Sequence, residues 1–316
     1  MSDPGTAVVT GAAGFIGSHL SEALVARGFD VVGVDAFTDY YDPAIKRRNV
    51  APLLAGPRFR LLELDLATAA LDALPARPRW VFHLAAQPGV RASWGREFAT
   101  YATQNVLATQ RLLEHVKDAG SERVVVASSS SVYGDAEALP TSETDLPRPF
   151  SPYGVTKLAA EHLALLYARN FGVPAVAMRY FTVYGPRQRP DMGFHKFIRA
   201  LLADQPIGVY GDGGQTRDFT FVADAVAANL AAAERGVPGT AYNVGGGSRV
   251  SVNDVLARLG RLAGRTPRIE RGPPQPGDPR DTGADIARAG RDLDWQPRVA
   301  LDEGLARQLA WQREAS

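Results

Sequence analysis

A tyrosine and a lysine four positions apart are the residues of this sequence best spaced for acid–base chemistry. They are Tyr153 and Lys157, in a segment that opens with Ser151 and Pro152, a combination typical of the start of a helix. Residues four apart share one face of a helix, so the lysine ammonium favours the phenolate and makes Tyr153 a candidate base. Taken alone, this segment better fits a solvent-facing helix with an incidental tyrosine.

A run of serines favours the catalytic interpretation. Residues 128–131 are all serine and follow a predicted strand at residues 123–127. Side chains at the carboxyl ends of parallel strands face the ligand crevice, and four consecutive serines suit neither a strand nor a core. We therefore predict that Tyr153 and Lys157 act beside a pocket lined with hydroxyl groups.

The elements that must position these groups alternate between short apolar strands and amphipathic helices. Strand–helix alternation with nearly all-apolar strands predicts an α/β fold whose parallel sheet is covered on both faces. The predicted strands cover residues 7–10, 31–34, 60–64, 80–84, 123–127 and 173–179, and the predicted helices cover residues 16–27 and 100–119.

The character of the chain changes near residue 180, where loops rich in glycine and proline begin. We predict a first domain at residues 1–180 and a smaller α/β region at residues 181–316, of which residues 218–245 are expected to pack back onto the first domain. Helices are predicted there at residues 196–202, 222–235, 252–263 and 301–311.

Three glycines lie between the first strand and the first helix, with the spacing G-x-x-G-x-x-G. Gly11 and Gly14 allow the backbone to turn tightly and approach a pyrophosphate, and Gly17 allows the helix and the strand to pack closely. The helix N-terminus at Phe15 and Ile16 then meets the negative charge. Because the strand and the helix flank the glycines as this motif requires, we predict a Rossmann-like doubly wound sheet that binds a dinucleotide.

An aspartate at the end of the second predicted strand indicates which dinucleotide. Asp35 is placed to accept hydrogen bonds from both hydroxyls of the adenosine ribose and to repel a 2′-phosphate, which argues for NAD over NADP. The first cation after it in the sequence is Lys46. Further residues expected at the cofactor are Asp65 and Leu66 after the third strand and Leu84, Ala85 and Ala86 after the fourth.

Composition limits the other classes of function. The 316 residues carry a net charge of +1 and no cysteine, so we expect no nucleic-acid partner, no membrane binding, no disulfides and no cysteine-ligated metal. The histidines lack metal-ligand spacing, and His83 is expected to be structural. The N-terminal segment does not fit a signal peptide and no apolar run is long enough to span a bilayer, which predicts a cytoplasmic protein.

Taken together, the motifs resemble the extended short-chain dehydrogenase/reductase family, in particular its NAD-dependent nucleotide-sugar epimerases and dehydratases. The resemblance rests on TGAAGFIG, an aspartate after the second strand, HLAA, SSSSVYG and YGVTK in this order, and on the later GDGGQTRDFTFVADAV and PGDPRDTGADIARA. It covers nearly the whole chain.

The resemblance implies roles for individual residues. Tyr153 corresponds to the catalytic base, Lys157 to the residue that lowers its pKa and holds the nicotinamide ribose, and Ser129 to the hydroxyl that shares the proton of the sugar O4. Asn105 matches a position that supports the cofactor. Relatives also form homodimers through the helices around residues 100–119 and 153–170, so we expect a homodimer.

The two residues before Val132 distinguish the reactions of that family. Dehydratases of the family have an Asp-Glu pair where this chain has Ser130 and Ser131, and related decarboxylases have a glutamate at the second position. Serines cannot act as an acid–base pair near neutral pH. Epimerisation needs only room for the 4-ketosugar to turn, so the serines favour a 4-epimerase.

Residues 35–43 and 87–91 resemble the corresponding segments of UDP-glucuronate 4-epimerases. Thr182 stands where galactose epimerases and decarboxylases usually have an asparagine. We therefore expect conversion of UDP-glucuronate to UDP-galacturonate. A UDP-glucose/galactose 4-epimerase, a UDP-glucuronate decarboxylase and a non-catalytic sensor of NAD or nucleotide sugars remain alternatives. The predicted substrate residues are Arg91, Ser129, Ser130, Ser131, Thr182, Arg189, Phe194, Lys196, Tyr210, Gln215, Arg217 and Asp278, and His195 is expected in the same pocket.

Overall fold

A seven-stranded parallel sheet forms the centre of the computed structural model, which describes residues 4–315. Its strand order is β3-β2-β1-β4-β5-β6-β10, and every adjacent pair is parallel. This order confirms the predicted doubly wound α/β fold. The strands are β1 (Thr6–Thr10), β2 (Asp30–Asp35), β3 (Phe59–Glu63), β4 (Trp80–His83), β5 (Arg123–Ser129), β6 (Ala175–Tyr180) and β10 (Thr240–Val244).

Helices cover both faces of this sheet because successive residues of its strands point to opposite sides. In β1, for example, Val9 belongs to one apolar core and Val8 to the other. The helices of this part are α1 (Phe15–Ala26), α2 (Pro43–Leu54), α3 (Phe98–Tyr101), α4 (Ala108–Val116), α5 (Pro152–Phe171) and α7 (Val222–Arg235).

The later part of the chain contributes both to the main sheet and to smaller sheets. Strand β10 pairs with β6, and α7 packs beside α1. The remaining strands are β7 (Thr182–Tyr184), β8 (Ile207–Tyr210), β9 (Thr216–Phe221), β11 (Arg249–Ser251) and β12 (Ile269–Gly272). The remaining helices are α6 (Gly193–Leu202), α8 (Val252–Ala263), α9 (Ala287–Leu293) and α10 (Leu301–Ala315).

Two helical regions differ from the predictions. The single helix expected at residues 100–119 is divided by a π-helical turn at Ala102–Leu107, which contains the buried Asn105. Helix α2 was not predicted, because it contains Pro52 and a weakly amphipathic sequence. Its N-terminus is nevertheless capped by Asp42, whose side chain accepts a hydrogen bond from the Ala44 N–H at 2.9 Å.

None of the helices described within residues 4–315 combines the length and the apolar character that crossing a membrane requires. The cytoplasmic location and the division of the chain at residue 180 remain predictions.

Candidate active site

A cavity of about 1100 Å³ opens between the carboxyl ends of the main-sheet strands and the elements after residue 180. A crevice at this end of a doubly wound sheet is the usual place for a ligand. Predicted site residues that line the cavity are Gly11, Gly14, Phe15, Ile16, Gly17, Asp35, Leu84, Ala85, Ala86, Arg91, Ser129, Ser130, Ser131, Tyr153, Lys157, Thr182, Arg189, Phe194, Lys196, Tyr210, Gln215, Arg217 and Asp278.

Tyr153 and Lys157 lie one turn apart in the first part of α5, as their spacing predicts. The helix begins at Pro152, and the Ser151 hydroxyl caps it by accepting the Gly154 N–H at 3.1 Å. This cap fixes the helix start directly beside the catalytic candidates. Both Tyr153 and Lys157 therefore face the cavity from a rigid element.

The Ser129 hydroxyl at the end of β5 lies close enough to the phenol of Tyr153 to lower the pKa of that phenol. The oxygen of this hydroxyl also accepts the Ser131 N–H at 3.1 Å. Its proton is therefore free to be donated to the tyrosine oxygen or to a ligand. Ser129 and Tyr153 thus form a hydroxyl pair through which a proton can be shared.

Burial raises the pKa of the Tyr153 phenol above its ordinary value, while the hydrogen bond from Ser129 and the charge of Arg189 act in the opposite direction. The sequence predicted that Lys157 lowers the pKa of Tyr153. In the protein without a ligand, Lys157 is not among the groups that lower it. Burial also lowers the pKa of Lys157 to about 8, and the Glu161 carboxylate partly reverses that effect. Desolvation acts on both groups because it disfavours their charged forms.

The glycine loop fits a dinucleotide. Gly11 has a φ of +69°, and a Cβ on it would come within 2.8 Å of the Ala85 nitrogen on the neighbouring strand end. Only glycine at position 11 can therefore adopt this turn and lie so close to the Ala85 backbone. Helix α1 begins next to it with Gly14 as N-cap and no side-chain cap, so its N-terminus is available to a pyrophosphate.

Asp35, at the end of β2, is buried and lines the same half of the cavity. Its carboxylate accepts the Phe37 N–H at 2.8 Å and the Ala13 N–H at 3.2 Å, and the Lys46 ammonium lies 3.3 Å away. About four acceptor positions are available on a carboxylate, so one remains free for a ribose hydroxyl, whereas the sequence predicted bonds to both hydroxyls. The glycine loop and Asp35 together fit NAD.

The residues around Arg189 form the wall opposite the cofactor half. Arg189 donates to the Asp191 carboxylate from two nitrogens, at 2.9 and 3.0 Å, and the Tyr40 hydroxyl approaches the same carboxylate at 3.4 Å. Thr182 lines this wall as well. The guanidinium has five N–H donors, so Arg189 retains donors for an anionic ligand group close to Tyr153.

A second group of charged side chains lies at the far end of the cavity. The Arg91 guanidinium forms an ion pair with Asp278 at 2.5 Å and stacks over the Tyr210 ring at 4.4 Å. Arg217 is fixed by donating to the Thr216 and Arg280 carbonyl oxygens at 2.8 and 3.1 Å. Arginine forks beside an aromatic ring are suited to the diphosphate and base of a nucleotide.

Three predicted cofactor residues lie outside the cavity lining. Leu66 packs into an apolar core, and Asp65 accepts the Ala67 N–H at 2.8 Å and bonds to Gln104, which itself lines the cavity. Asn105 is buried within the π-helical turn. His195 is also directed elsewhere: its Nδ1 lies 3.0 Å from the Gln188 carbonyl oxygen.

Asn105 instead joins the wall of the cofactor half to α5. Its side chain accepts the Gln87 N–H at 2.7 Å and donates to the Gln87 carbonyl at 3.1 Å and to the Thr156 hydroxyl at 3.0 Å. Thr156 in turn donates to the Tyr153 carbonyl at 2.9 Å. Asn105 therefore positions the backbone of the catalytic candidate without touching the cavity.

His83 is structural, as expected, because both ring nitrogens are within hydrogen-bond distance of buried threonines. Its Nδ1 lies 2.8 Å from the Thr10 hydroxyl and its Nε2 lies 2.9 Å from the Thr109 hydroxyl. Thr109 donates to the Asn105 carbonyl, so His83 donates from Nε2. Burial lowers the pKa of His83 to about 3, which keeps the ring neutral.

Sequence reasoning assigned no role to several residues that shape the cavity. Tyr40, Tyr41 and Lys46 line it. The two tyrosines entered the sequence analysis only as part of residues 35–43, the segment that resembles UDP-glucuronate 4-epimerases. The Lys46 ammonium lies 5.3 Å from the centre of the Tyr41 ring. Helix α2, which was not predicted, brings Lys46 back to Asp35. Recognition of this helix would have placed Lys46 at the site.

Comparisons with known proteins agree with this geometry. The model of the NAD dependent epimerase/dehydratase family matches residues 7–245. The chain is 42% identical over 308 residues to the uncharacterized UDP-glucose epimerase YtcB of Bacillus subtilis, covering 96% of each protein. It is 36% identical over 311 residues to a UDP-glucuronate 4-epimerase of Thermodesulfobacterium geofontis, covering 97% of this chain and 96% of that one.

A solved structure is similar over almost the whole chain. The crystal structure of UDP-glucuronic acid 4-epimerase from Bacillus cereus, in complex with UDP-glucuronic acid and NAD, has a TM-score of 0.96 to this chain. The two are 42% identical, and the similarity covers 98% of this chain and 100% of that one.

Proposed function

The chain belongs to the NAD-dependent epimerase/dehydratase family, and we propose that it interconverts UDP-glucuronate and UDP-galacturonate by epimerisation at C4. The observation that carries the choice of substrate is Arg189, a largely buried guanidinium that lines the cavity beside Thr182 and acts electrostatically on Tyr153. A cation so close to the reacting carbon suits the C6 carboxylate of a uronic acid. The names of the Thermodesulfobacterium and Bacillus cereus relatives support the same substrate.

Tyr153 acts as the base in this proposal, in the phenolate form that the ammonium of Lys157 and the positive charge of bound NAD would favour against the effect of burial. When bound, NAD supplies the hydride acceptor that oxidation of C4 requires. Tyr153 takes the proton of the 4-hydroxyl, Ser129 holds the same oxygen through its free O–H, and Lys157 holds the nicotinamide ribose. The resulting 4-ketosugar turns in the cavity, and Tyr153 returns the proton when C4 is reduced on its other face.

The serines at positions 130 and 131 support epimerisation over the family's other reactions. Both line the cavity beside Ser129, and neither provides the carboxyl group that elimination of water needs. They leave polar space in which the sugar can turn.

Thr182 and Arg189 are also proposed to protect the intermediate. A 4-keto uronic acid is a β-keto acid, which loses carbon dioxide when its C5–C6 bond aligns with the carbonyl π system. The Arg189 fork, fixed by Asp191, and the Thr182 hydroxyl are placed to hold the carboxylate out of that alignment.

The nucleotide is proposed to occupy the far end of the cavity. Arg217 binds the diphosphate, Asp278 the uridine ribose, and Tyr210 lies beside the base. Arg91, Gln215, Phe194 and Lys196 complete this half. Residues 4–180 together with residues 218–245 are assigned to the cofactor, since β10 and α7 belong to the main sheet and its covering helices.

We infer a homodimer formed through α4, α5 and the turn before α4. Leu107, Val155 and Leu166 are between 45% and 51% exposed on these elements, which pack against one another, and exposed apolar side chains grouped on one surface are typical of an interface. A second copy of this chain would cover them.

A UDP-glucose/galactose 4-epimerase is the second candidate, because the Bacillus subtilis relative carries a UDP-glucose epimerase name. A non-catalytic sensor on the same fold has no need of the Ser129–Tyr153 pair. Incubation with UDP-glucuronate and UDP-glucose separately, followed by proton NMR of the products, separates these cases. UDP-galacturonate supports the proposal, whereas UDP-galactose, a UDP-pentose or no product would redirect it.

A further inference from the structure

A third ionisable residue continues the catalytic face of α5 into the protein interior. Glu161 follows Lys157 by four positions, as Lys157 follows Tyr153, so the three share one face of the helix. Tyr153 and Lys157 line the cavity, whereas Glu161 is 1% exposed and lies beneath them. A carboxylate so deeply buried requires partners.

Two strands of the main sheet supply those partners. The Ser128 hydroxyl at the end of β5 donates to Glu161 at 2.5 Å. Arg179 of β6 donates from Nη2 at 2.6 Å and from Nε at 3.0 and 3.2 Å. A buried ion pair is tolerated when its hydrogen bonds are satisfied, and these bonds hold the carboxylate in one place.

The pair is itself held by a polar chain that reaches the later part of the protein. Arg179 Nη1 donates to the Tyr133 hydroxyl at 2.7 Å, and that hydroxyl donates to the Asn243 side chain at 2.7 Å. Asn243 in turn donates to the carbonyl oxygens of Thr141 and Asp285. Glu161 is therefore fixed from several elements rather than by its own helix alone.

We infer that Glu161, held by Arg179 and Ser128, is a positioning residue that keeps Lys157 a charged ammonium beside Tyr153. The inference rests on the proposed function in so far as the reaction uses Lys157 in this form. Glu161 does not contact the cavity, so it acts through Lys157.

The groups that face Lys157 show why a buried anion is needed. His83 approaches from β4 but is neutral, because burial and the charge of Lys157 both lower its pKa. Tyr153, on the same helix, is a phenol whose own ionisation is disfavoured by burial. Arg189 faces Tyr153 from across the cavity as a further cation. Glu161 supplies the negative charge that raises the pKa of Lys157 against the effect of burial.

The titration of Lys157 tests this inference directly. The sequence has four lysines, Lys46, Lys117, Lys157 and Lys196, so protein labelled with carbon-13 at the lysine Cε gives few NMR signals. The Lys157 signal is assigned by its loss in Lys157→Met. In Glu161→Gln we expect its titration midpoint to fall by about one pH unit relative to the wild type, the lower end of what a nearby opposite charge contributes.

Tyr133→Phe is the matched control. It removes a hydrogen bond from Arg179 but leaves the charge of Glu161 in place, so the Lys157 midpoint should stay within the error of the wild-type value. A merely structural role for Glu161 predicts instead that Glu161→Gln and Tyr133→Phe behave alike.

The double variant Glu161→Gln with Arg179→Met decides the matter if Glu161→Gln alone does not fold, because it leaves no unpaired guanidinium in the interior. Because Arg179→Met also removes a positive charge, the Lys157 midpoint should fall by less than in Glu161→Gln but should remain below the wild-type value. An unchanged midpoint in the folded variant overturns the inference. Since the titration is read without substrate, its failure leaves the proposed reaction standing, and failure of the proposed reaction leaves the titration valid.

Discussion

The Ser129 hydroxyl lies beside the Tyr153 phenol and lowers the pKa of that phenol, and the oxygen of this hydroxyl is itself held by the Ser131 N–H at 3.1 Å. Ser129 at the end of β5 and Ser131 just after it thereby fix the position of the hydroxyl that faces the phenol of α5. The pair is formed between a strand end and the first turn of a capped helix, both of which are rigid. The site is therefore arranged for a proton transfer before any substrate enters.

Replacing Tyr153 with phenylalanine should abolish epimerisation while leaving the fold intact. The phenol is the proposed base, and loss of a positioned acid–base group lowers kcat by about 10²–10⁴-fold. Product formation from UDP-glucuronate measures the loss, and the melting temperature and retained NAD serve as controls for folding. Near wild-type turnover in Tyr153→Phe would mean that another group is the base.

Replacing Thr182 with alanine should raise the fraction of turnovers that end in decarboxylation. The variant loses the hydroxyl proposed to hold the C6 carboxylate, so the 4-keto intermediate reaches the aligned conformation more often. The amount of UDP-pentose per mole of UDP-galacturonate, measured by chromatography, is the readout. Thr182→Ser keeps the hydroxyl and is expected to resemble the wild type. The protective role is wrong if Thr182→Ala releases no more UDP-pentose than the wild type.

Replacing Asp35 with asparagine should weaken the preference for NAD over NADP. The carboxylate that repels a 2′-phosphate is removed, and the Lys46 ammonium, 3.3 Å from Asp35 in the present structure, is left to attract it. Hydrogen bonds to charged groups contribute about 1.5–3 kcal/mol, so the ratio of the two dissociation constants should change by at least about tenfold. Calorimetric titration with each cofactor measures it.

The double variant Asp35→Asn with Lys46→Met controls for the role of the lysine. It should bind NADP more weakly than Asp35→Asn alone. Equal NADP affinities in the two variants would show that Lys46 does not reach the phosphate.

Replacing Leu107 or Leu166 with arginine should convert the proposed dimer to monomers. Both side chains are exposed on the helices that we expect at the interface, and a charge placed in an apolar interface costs several kcal/mol. Sedimentation velocity at a fixed protein concentration distinguishes the two states. Leu54→Arg, at a similarly exposed position on α2, is the matched control and should remain dimeric. A wild-type protein that sediments as a monomer contradicts the dimer itself.

The sequence was sufficient to predict the features that depend on local spacing. The glycines at 11, 14 and 17, the aspartate after β2 and the Tyr153–Lys157 pair were all found because strand, turn and helix follow one another within a few residues. All of them line one cavity. The alternation of apolar strands and helices predicted the parallel sheet. It also predicted the positions of β1, β4 and β5.

Features that depend on contacts between distant segments were not predicted. The Glu161–Arg179 pair joins α5 to β6, and each residue alone resembles an ordinary charge in the sequence. The π-helical turn that buries Asn105 has no periodicity that distinguishes it from an α-helix over so few residues. The short strands β7, β11 and β12 span three or four residues each, too few for a reliable alternation pattern.

The ratio of kcat/KM for UDP-glucuronate to kcat/KM for UDP-glucose tests the central claim most directly, because the two substrates differ only at C6. A site in which Arg189 and Thr182 bind the carboxylate should prefer UDP-glucuronate by at least about 10²-fold, since the analogue without this group leaves buried polar groups unpaired. The preference should fall sharply in Arg189→Gln. Equal values for the two substrates in the wild type, or a preference for UDP-glucose, would contradict the account.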